Sequence, residues 1–295
     1  MSGFLNIIKP PGMTSFGVVA RVKELIDESR VGHGGTLDPD AAGVLPVALG
    51  QATRLIECLS DATKLYRADI ELGVTTDTYD ASGIVISKKD PTGIKRETVE
   101  VALTSFSGVI QQVPPMYSAL RYKGSRLYKL ARKGIEVERP ARPAHVYGIQ
   151  LVDFQNPIVT VEIECGKGTY IRSIANDLGE KLGIGAHMSR LTRLRVGPFD
   201  IKDGITLGEL DETCCFGFFE RYIYAPDTVL LKHNVAVISF EKEDAIRKGQ
   251  KIQLDIKSHF FFCDALRIYS LDGRFVGLAK YDGESDGWQP EKIFN

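Results

Sequence analysis

The segment Gly32–Pro46, GHGGTLDPDAAGVLP, constrains the fold of this chain more than any other stretch. Glycines at positions 32, 34 and 35 precede Asp38, and we expect them to allow positive φ and the close approach of a ligand. Pro39 keeps Asp38 out of the helical region. A core strand or helix is not built this way, so the segment predicts a loop that presents one carboxylate to a bound molecule. The alternative is a turn in which Asp38 only caps the backbone.

Hydrophobic periodicity predicts a helix before this loop and a strand after it. Thr14–Ile26 has the spacing of an amphipathic helix, and Thr14 or Ser15 is the expected N-cap. Apolar and polar residues alternate strictly over Tyr66–Leu72, which predicts a half-buried strand. Tyr66 then lies on the apolar face of that strand.

The same signals recur further along the chain. Val159–Cys165 alternates like a second half-buried strand, and a Gly-Lys-Gly turn follows it. A helix is predicted next, with Thr169 as its cap and Gly183 as its end. Since strands and helices mix without strict βαβ alternation, we predict an α+β fold.

Composition narrows the class of protein. The 295 residues suffice for one large domain and a small one, and no apolar run is long enough to cross a bilayer. Met1–Lys9 has no charged-then-apolar leader, so we expect a cytoplasmic protein without a membrane partner. Five cysteines without a CxxC pair and five scattered histidines favour neither a disulfide framework nor a metal site.

Charge is unevenly distributed, although the formal net charge is only −1. Arg121–Arg142 and Lys167–Arg195 are rich in basic residues, whereas Asp203–Asp227 is acidic. A solvated surface explains one basic run equally well. Two such runs in one domain favour a groove that follows a phosphate backbone, because phosphate contacts supply most nucleic-acid affinity.

Four segments, in the same order along the chain, resemble motifs of one enzyme family. Gly32–Pro46 resembles the catalytic loop of the bacterial tRNA pseudouridine-55 synthases, the TruB family. The other three are similar to its KPxGxTS motif, its tyrosine strand and its GTYIRS motif, and they are Lys9–Ser15, Lys64–Ala68 and Gly168–Ser173. A weaker likeness, to the family's RNA-gripping thumb, covers Val113–Arg132. Together these segments span most of residues 3–200, and the likeness thins after Thr206.

The resemblance implies an α+β fold in two parts. Residues 1–230 would form a catalytic domain, a long mixed sheet with a central cleft and a thumb insertion at about residues 110–145. The last part of this domain, Thr206–Leu230, has a helical pattern and is predicted to be a connection. Residues 231–295 loosely resemble the family's PUA RNA-binding domain, a small β-barrel. Its strand-like runs are Val235–Phe240, His259–Asp264, Leu266–Ser270 and Arg274–Ala279, followed by GWQPEKIF.

The resemblance also implies the activity, which is the conversion of uridine to pseudouridine at position 55 in the T-arm of tRNA. The reaction breaks the N1–C1′ bond and joins C1′ to C5 of the same base, so no cofactor is expected. Asp38 matches the family's lone catalytic aspartate, and attack at C1′, addition at C6 and charge stabilisation all stay open. Arg172 matches the family's arginine, and we expect its planar fork to pair bidentately with Asp38 and keep it ionised.

The resemblance assigns further residues to the substrate. The target base must leave the stacked RNA loop to reach the catalytic acid. Tyr66 matches the stacking residue, and its phenol is a candidate for handling a proton at C5. Tyr170 and Leu191 match positions that line the base site. His33 is expected to contact the rearranged RNA loop, with a structural histidine as the alternative, and Lys9 is expected to brace the catalytic loop.

Three positions depart from the commoner loop pattern HTGTLDPxATG. Gly34 and Ala42 stand where threonine is usual, and Asp40 stands where an apolar residue is often found. A second carboxylate near Asp38 would raise its pKa. An extended Asp38–Pro39 unit would point the two side chains apart, so we expect a small effect.

The residues leave other functions open. A weakly catalytic RNA-binding protein that helps tRNA to fold would not need Asp38, Tyr66, Tyr170 and Arg172 together. A sugar or phosphate hydrolase needs a second catalytic carboxylate or a metal cluster, and Asp38 has no convincing partner in the sequence. The lack of long basic tails disfavours a guided rRNA enzyme. The expected partner is tRNA alone, bound by a monomer without an obligate protein partner.

Overall fold

The computed structural model describes residues 1–118, 120–131, 133–254, 265–284 and 286–294. Within these residues the chain forms one large mixed sheet and, near its C-terminal end, a four-stranded sheet. The predicted strand His259–Asp264 and the basic residue Arg132 lie outside the described residues. In the described part of the chain, no helix combines the length and the apolar character needed to cross a bilayer.

Strands and helices follow one another along the chain without a fixed alternation. The strands are β1 (Gly3–Lys9), β2 (Val31–His33), β3 (Ala42–Leu49), β4 (Lys64–Leu72), β5 (Val74–Thr76), β6 (Val85–Lys88), β7 (Gly108–Gln112), β8 (Arg121–Tyr122), β9 (Ser125–Arg126), β10 (Arg142–Gln155), β11 (Ile158–Cys165), β12 (Ala186–Val196), β13 (Phe199–Asp200), β14 (Ile205–Thr206), β15 (Ile223–Tyr224), β16 (Asn234–Ile238), β17 (Ala265–Ser270), β18 (Phe275–Asp282) and β19 (Gly287–Ile293). The helices are α1 (Ser15–Ile26), α2 (Ile56–Ser60), α3 (Arg96–Thr104), α4 (Leu127–Ala131), α5 (Ile171–Lys181), α6 (Leu207–Cys215) and α7 (Phe240–Arg247).

The large sheet runs in the order β14-β1-β3-β12-β4-β11-β10-β7, with β2, β13 and β15 attached at its sides. The central strand β12 is parallel to β3 and antiparallel to β4. This order confirms the predicted α+β class with a mixed sheet. The Asp38 loop leads into β3, and β3 lies between β1 and the sequence-distant strand β12.

Alternation along β4 explains which face of the sheet is covered. Ala68 and Ile70 are fully buried in the main core cluster, where Ile174 and Leu178 of α5 pack against them. Burial of each large aliphatic side chain contributes about 1.5–3 kcal/mol. Arg67 points to the opposite face and pairs with a glutamate of β11 at 2.6 Å. The predicted strands over Tyr66–Leu72 and Val159–Cys165 are therefore confirmed.

Helix starts follow the expected cap at one site and not at the other. Thr14 caps α1, because its Oγ1 accepts a hydrogen bond from Gly17 N at 2.9 Å. The prediction that Thr169 caps α5 is wrong. Tyr170 is the N-cap residue, and the Thr169 hydroxyl instead donates to Gly166 O at 3.2 Å, which closes the preceding turn. Gly183, at φ +75°, follows α5 as predicted.

The segment between the two sheets is more than a helical connection. Thr206 and Glu209 form a capping box at the start of α6. The chain then returns to the large sheet as β15, where Ile223 pairs with Leu5 of β1. The predicted connection is therefore correct for α6, but it missed a strand of the main sheet.

Near the C-terminal end, β16 runs parallel to β17, and β17, β18 and β19 follow as antiparallel neighbours. Trp288 of β19 is buried in their common core. The predicted strand through Phe240 is wrong at its end, because the Ser239 hydroxyl accepts from Lys242 N and starts α7 at Phe240. Closure of these strands into a barrel stays a prediction.

This second sheet shares apolar contacts with the first. Leu278 and Phe294 belong to the same buried cluster as Phe4 and Leu55 of the N-terminal half. The Arg54 guanidinium also donates to Ile293 O at 2.7 Å. The last strand is therefore anchored on the large sheet's own core.

Candidate active site

The Asp38 loop forms a tight turn in front of β3. Ala41 N donates to Asp38 O at 3.1 Å, so Pro39 occupies the second position of a four-residue turn, where its fixed φ fits. Gly12 N donates to Pro39 O at 2.9 Å, which ties the turn to the N-terminal motif. The loop presents the Asp38 side chain outward, with 48% of its surface exposed.

Lys9 lies beneath this turn and is fully buried. Its ammonium group donates to three backbone carbonyl oxygens, at 2.5 to 2.8 Å, and they belong to Pro10, Met13 and Pro39. Burial lowers the Lys9 pKa, while the carboxylates of Asp40 and Asp38 act against that shift. One of these contacts reaches Pro39, the residue directly after Asp38, and a bracing role for Lys9 stays a prediction.

The glycines of the loop serve two different purposes. Gly35 takes φ +117°, as expected for a loop that needs an unusual backbone. Gly32 and Gly34 do not have positive φ, so that part of the prediction is wrong. They instead allow close packing, because an added Cβ would lie 2.8 Å from Ile56 Cδ1 at Gly32 and 2.4 Å from Leu59 Cδ1 at Gly34. At Gly34, where threonine is usual in the family, a side chain would therefore require Leu59 to move.

Arg172, in the first turn of α5, reaches the Asp38 carboxylate. Its Nη2 lies 3.0 Å from Asp38 Oδ2, and its side chain is only 8% exposed. The bidentate pairing predicted for these two residues is wrong. The other terminal nitrogen, Nη1, lies 3.0 Å from Asp80 Oδ2, and Nη2 also donates to Tyr117 O at 3.1 Å. The guanidinium therefore bridges two carboxylates.

Asp80 is a site residue that the sequence analysis missed. Its Oδ1 accepts hydrogen bonds from the Thr78 hydroxyl at 2.7 Å and from the Ser82 hydroxyl at 2.6 Å. Tyr79 between them takes φ +65°, a conformation that non-glycine residues adopt infrequently. The segment DTYDASG has turn-forming residues, but Asp77 carries the same local signal, so pattern alone does not single out Asp80.

The Asp38 carboxyl has a raised pKa. Burial among the surrounding protein atoms is the main cause, although part of the side chain stays accessible. The Arg172 guanidinium acts in the opposite direction, the Asp80 and Asp40 carboxylates raise the pKa further, and Lys9 lowers it. Arg172 thus offsets only part of the cost of ionising Asp38, and Asp40 has less influence than Asp80.

Tyr66 and Leu191 lie on the neighbouring strands β4 and β12. Leu191 pairs with Ala68 in register and is buried in the main core cluster, and the partly buried Tyr66 ring packs against the same cluster. Leu37, next to Asp38, belongs to this cluster as well. Burial raises the Tyr66 pKa, and the Arg193 guanidinium lowers it in part. The Asp38 loop and the two predicted base-site residues therefore pack in the same buried cluster, which forms an apolar floor next to Asp38.

Tyr170 is held by a residue that the sequence analysis also missed. Gln112, buried at the end of β7, accepts from Tyr170 N through Oε1 and donates to Tyr170 O through Nε2, both at 3.1 Å. These paired contacts fix the start of α5, two residues before Arg172. The Tyr170 side chain itself is half-buried.

His33 lies on β2, at the beginning of the loop. Its side chain is half-buried, and among the described residues its Nδ1 has no hydrogen-bond partner. Burial lowers its pKa, and Arg193 lowers it further. Contact between His33 and RNA stays a prediction.

The two basic runs differ in structure. In the predicted thumb, the small hairpin β8–β9 and α4 lie between β7 and β10 in the chain, and the exposed basic residues of this segment are Lys123, Arg126, Lys129 and Lys133. The residues of the second run lie in different environments, and a phosphate-binding groove stays a prediction. Arg172 and Arg193 are buried, Arg195 pairs with Glu164 at 2.5 Å, and Lys167 pairs with Asp61 at 2.6 Å.

Comparison with known proteins identifies the family of this chain and agrees with its fold. The sequence profile "TruB family pseudouridylate synthase (N terminal domain)" matches residues 23–171, and "tRNA pseudouridylate synthase B C-terminal domain" matches residues 172–220. The chain belongs to the TruB family of pseudouridylate synthases. Sequence searches find proteins named tRNA pseudouridine synthase B, one from Dehalococcoides mccartyi at 45% identity, covering 100% of this chain and 97% of the relative. One from Clostridium perfringens is 40% identical and covers 99% of each.

Solved structures with the same fold extend over almost the whole chain. A Cbf5-Nop10-Gar1 complex contains a chain with a TM-score of 0.75 and 29% identity, which covers 99% of this chain and 85% of that one. An H/ACA RNP bound to a substrate RNA that contains 2′-deoxyuridine has a TM-score of 0.74 and 27% identity, with the same coverage. Both confirm the mixed α+β fold.

Proposed function

We propose that this protein isomerises uridine to pseudouridine at position 55 in the T-arm of tRNA. The observation that carries the proposal is the placement of Asp38. Its carboxylate is presented on a braced loop, 3.0 Å from a buried arginine and beside the apolar floor that Tyr66 and Leu191 share. Membership of the TruB family and full-length relatives named tRNA pseudouridine synthase B support the same conclusion.

The site residues divide the work of the reaction. The flipped uridine stacks on Tyr66 and enters between Tyr170 and Leu191. Asp38 acts at the sugar or the base as nucleophile or charge stabiliser, which requires its ionised form. Arg172 lowers the Asp38 pKa and fixes the carboxylate. Tyr66, whose pKa burial raises, is suited to hold a proton near C5. The bond broken and the bond formed belong to one nucleotide, so no cofactor enters.

Binding of tRNA is shared between two parts of the chain. The exposed lysines and Arg126 of the thumb grip the T-arm phosphates, and His33 contacts the rearranged loop. Residues 231–295 act as a PUA-like domain on the acceptor side, beyond a catalytic domain of residues 1–230. The protein works in the cytoplasm as a monomer on tRNA alone, whereas the chain in the Cbf5 complex is accompanied by Nop10 and Gar1.

A modification assay tests this function. Purified protein is incubated with unmodified tRNA, and pseudouridine is mapped by carbodiimide treatment and reverse transcription. We expect a single stop that reports position 55, and none with Asp38→Asn. The variant should bind tRNA within about tenfold of the wild type, or ~1.4 kcal/mol. A wild-type protein that binds and folds tRNA without modifying it would instead support the RNA-binding alternative.

A further inference from the structure

Arg193 is a buried cation in the centre of the large sheet. Only 1% of its surface is exposed, and in the described ranges no carboxylate lies within ion-pair distance of it. A buried charge is costly unless the protein supplies partners for it. The side chain must therefore draw its stabilisation from other polar groups, and those groups identify what it does.

The partners of Arg193 are two carbonyl oxygens on either side of Asp38 in the chain, one in its loop and one in β3. Its Nε donates to Val44 O at 2.8 Å, and its Nη2 donates to Gly35 O at 3.1 Å. Gly35 precedes Asp38 in the chain and Val44 follows it. One guanidinium thus connects the backbone before Asp38 with the strand after it, while Lys9 holds the carbonyl of Pro39 between them.

The backbone around Arg193 is shaped for this contact. Gly43 pairs with Arg193 across the parallel strands β3 and β12, at φ +102°. An added Cβ at Gly43 would lie 2.2 Å from Arg193 O, and one at Gly35 would lie 3.6 Å from Arg193 Nη1. Glycine at position 43 therefore lets β12 approach closely enough for the guanidinium to enter the loop.

Arg193 also faces the strand that carries the stacking tyrosine. In the antiparallel register of β12 and β4, Arg193 is opposite Tyr66. The positive charge of the guanidinium lowers the pKa of Tyr66, His33 and Lys9, so it influences groups on the loop, on β1 and on β4. One side chain accordingly connects the loop of the catalytic acid with the strand of the base platform.

We propose that Arg193 is a positioning residue, which locks the Asp38 loop at a fixed distance from Tyr66 and so sets where the flipped base meets the carboxylate. This inference rests on the proposed function. Arg193 does not touch the substrate itself, because it is buried under the loop. Its Nε and Nη2 hold two carbonyls from separate corners of one planar group, and the single ammonium nitrogen of a lysine lacks this geometry.

Two variants and a matched control test the inference. Arg193→Met removes the charge and the donors but keeps much of the length, whereas Arg193→Lys keeps the charge and carries its donors on one nitrogen instead of a planar fork. Arg67→Met is the control, since Arg67 lies on β4 next to Tyr66 but points to the opposite face. Each protein is compared for thermal unfolding, tRNA affinity and single-turnover rate at saturating tRNA.

We expect Arg193→Met to lower the single-turnover rate by about 100-fold or more, with tRNA affinity within about threefold. Arg193→Lys should recover part of the rate, and Arg67→Met should keep it. The His33 pKa, followed by NMR and assigned with a His33→Gln variant, should rise in Arg193→Met and return in Arg193→Lys. A residue with a role in folding alone would lower the melting temperature without lowering the rate of the folded, tRNA-bound enzyme.

Full single-turnover rate in folded Arg193→Met would overturn the inference, and so would an equal loss in Arg67→Met. If Arg193→Met does not fold, Arg193→Lys decides, because a full rate with lysine excludes a need for the planar fork. An inactive wild-type protein would contradict the proposed function. An active wild-type protein with fully active Arg193 variants would contradict this inference alone.

Discussion

Asp80 Oδ2 lies 3.0 Å from Arg172 Nη1, so the arginine that contacts Asp38 also forms an ion pair with a second carboxylate. The Asp80 side chain is 16% exposed and Arg172 is 8% exposed, whereas Asp38 is 48% exposed. Asp38 is therefore the most accessible of these three charged groups. Thr78 and Ser82 complete it at the closed end through hydrogen bonds to Asp80.

Asp80→Asn should lower the rate of the chemical step, because it weakens the contact that orients Arg172. A hydrogen bond to a charged group is worth about 1.5–3 kcal/mol, so we expect a loss of roughly 10- to 100-fold at the pH plateau. Single-turnover kinetics at saturating tRNA measure it. Asp77→Asn is the control, since Asp77 lies in the same loop but is exposed, and among the described residues its carboxylate accepts a hydrogen bond only from Ile84 N. Equal losses in both variants would indicate a general effect on the loop.

On the acidic side of the pH–rate profile, the pH at which the single-turnover rate falls should shift in opposite directions in two variants. This part of the profile is the acidic limb. In the proposed reaction Asp38 acts in its ionised form, so the rate should rise with pH through its pKa, which burial raises above the ordinary value. Asp80 raises that pKa, and Asp80→Asn should shift the limb to lower pH. Arg172 lowers it, and Arg172→Met should shift the limb to higher pH. Single-turnover rates between about pH 4 and 8 test both signs, and a shared direction would contradict this electrostatic account.

Sequence reasoning succeeded where the signal is local. The turn at Asp38, the cap at Thr14 and the alternation of β4 each depend on residues a few positions apart. Asp80 and Arg193 were missed as site residues, because their partners come from strand order and from segments far away in the chain. The sequence analysis counted Arg193 in a basic run that favoured phosphate binding. Nothing in the sequence indicates that this arginine is buried, because its burial depends on the neighbouring strands of the sheet.

Tyr66→Phe should retain more activity than Tyr66→Leu. Phenylalanine keeps the ring, and base–aromatic stacking is worth about 1–3 kcal/mol, so Tyr66→Leu should lose roughly 10- to 100-fold from stacking alone. The loss in Tyr66→Phe then measures the phenol, whose raised pKa keeps it protonated near neutral pH. The assay is single-turnover rate with tRNA affinity measured in parallel. If both variants lose equally, the hydroxyl and not the ring carries the contribution.

Gly43→Ala should destabilise the whole protein. Gly43 has φ +102°, and an added Cβ would meet the Arg193 carbonyl at 2.2 Å, where neither backbone can move without breaking the β3–β12 pair. The unfavourable backbone alone costs at least ~1 kcal/mol, and the overlap adds to it. Chemical denaturation measures the free energy of unfolding. Gly93→Ala is the control, since its Cβ would enter open space, and an equally small effect at both sites would contradict the close approach.

Phe294→Ala tests whether the C-terminal sheet unfolds on its own. Phe294 is buried in one cluster with Leu55 and Phe4 of the large sheet, so its truncation should cost about 3–5 kcal/mol and lower a single, common melting transition. Phe240→Ala, at an exposed position of α7 in the same segment, should change stability by less than about 0.5 kcal/mol. Calorimetry distinguishes the outcomes. Two transitions, with only the one of the C-terminal sheet lowered, would show that residues 231–295 form an independent domain. A single lowered transition would mean that deleting these residues uncovers the catalytic core, and that their part in tRNA binding must be measured by surface substitutions instead.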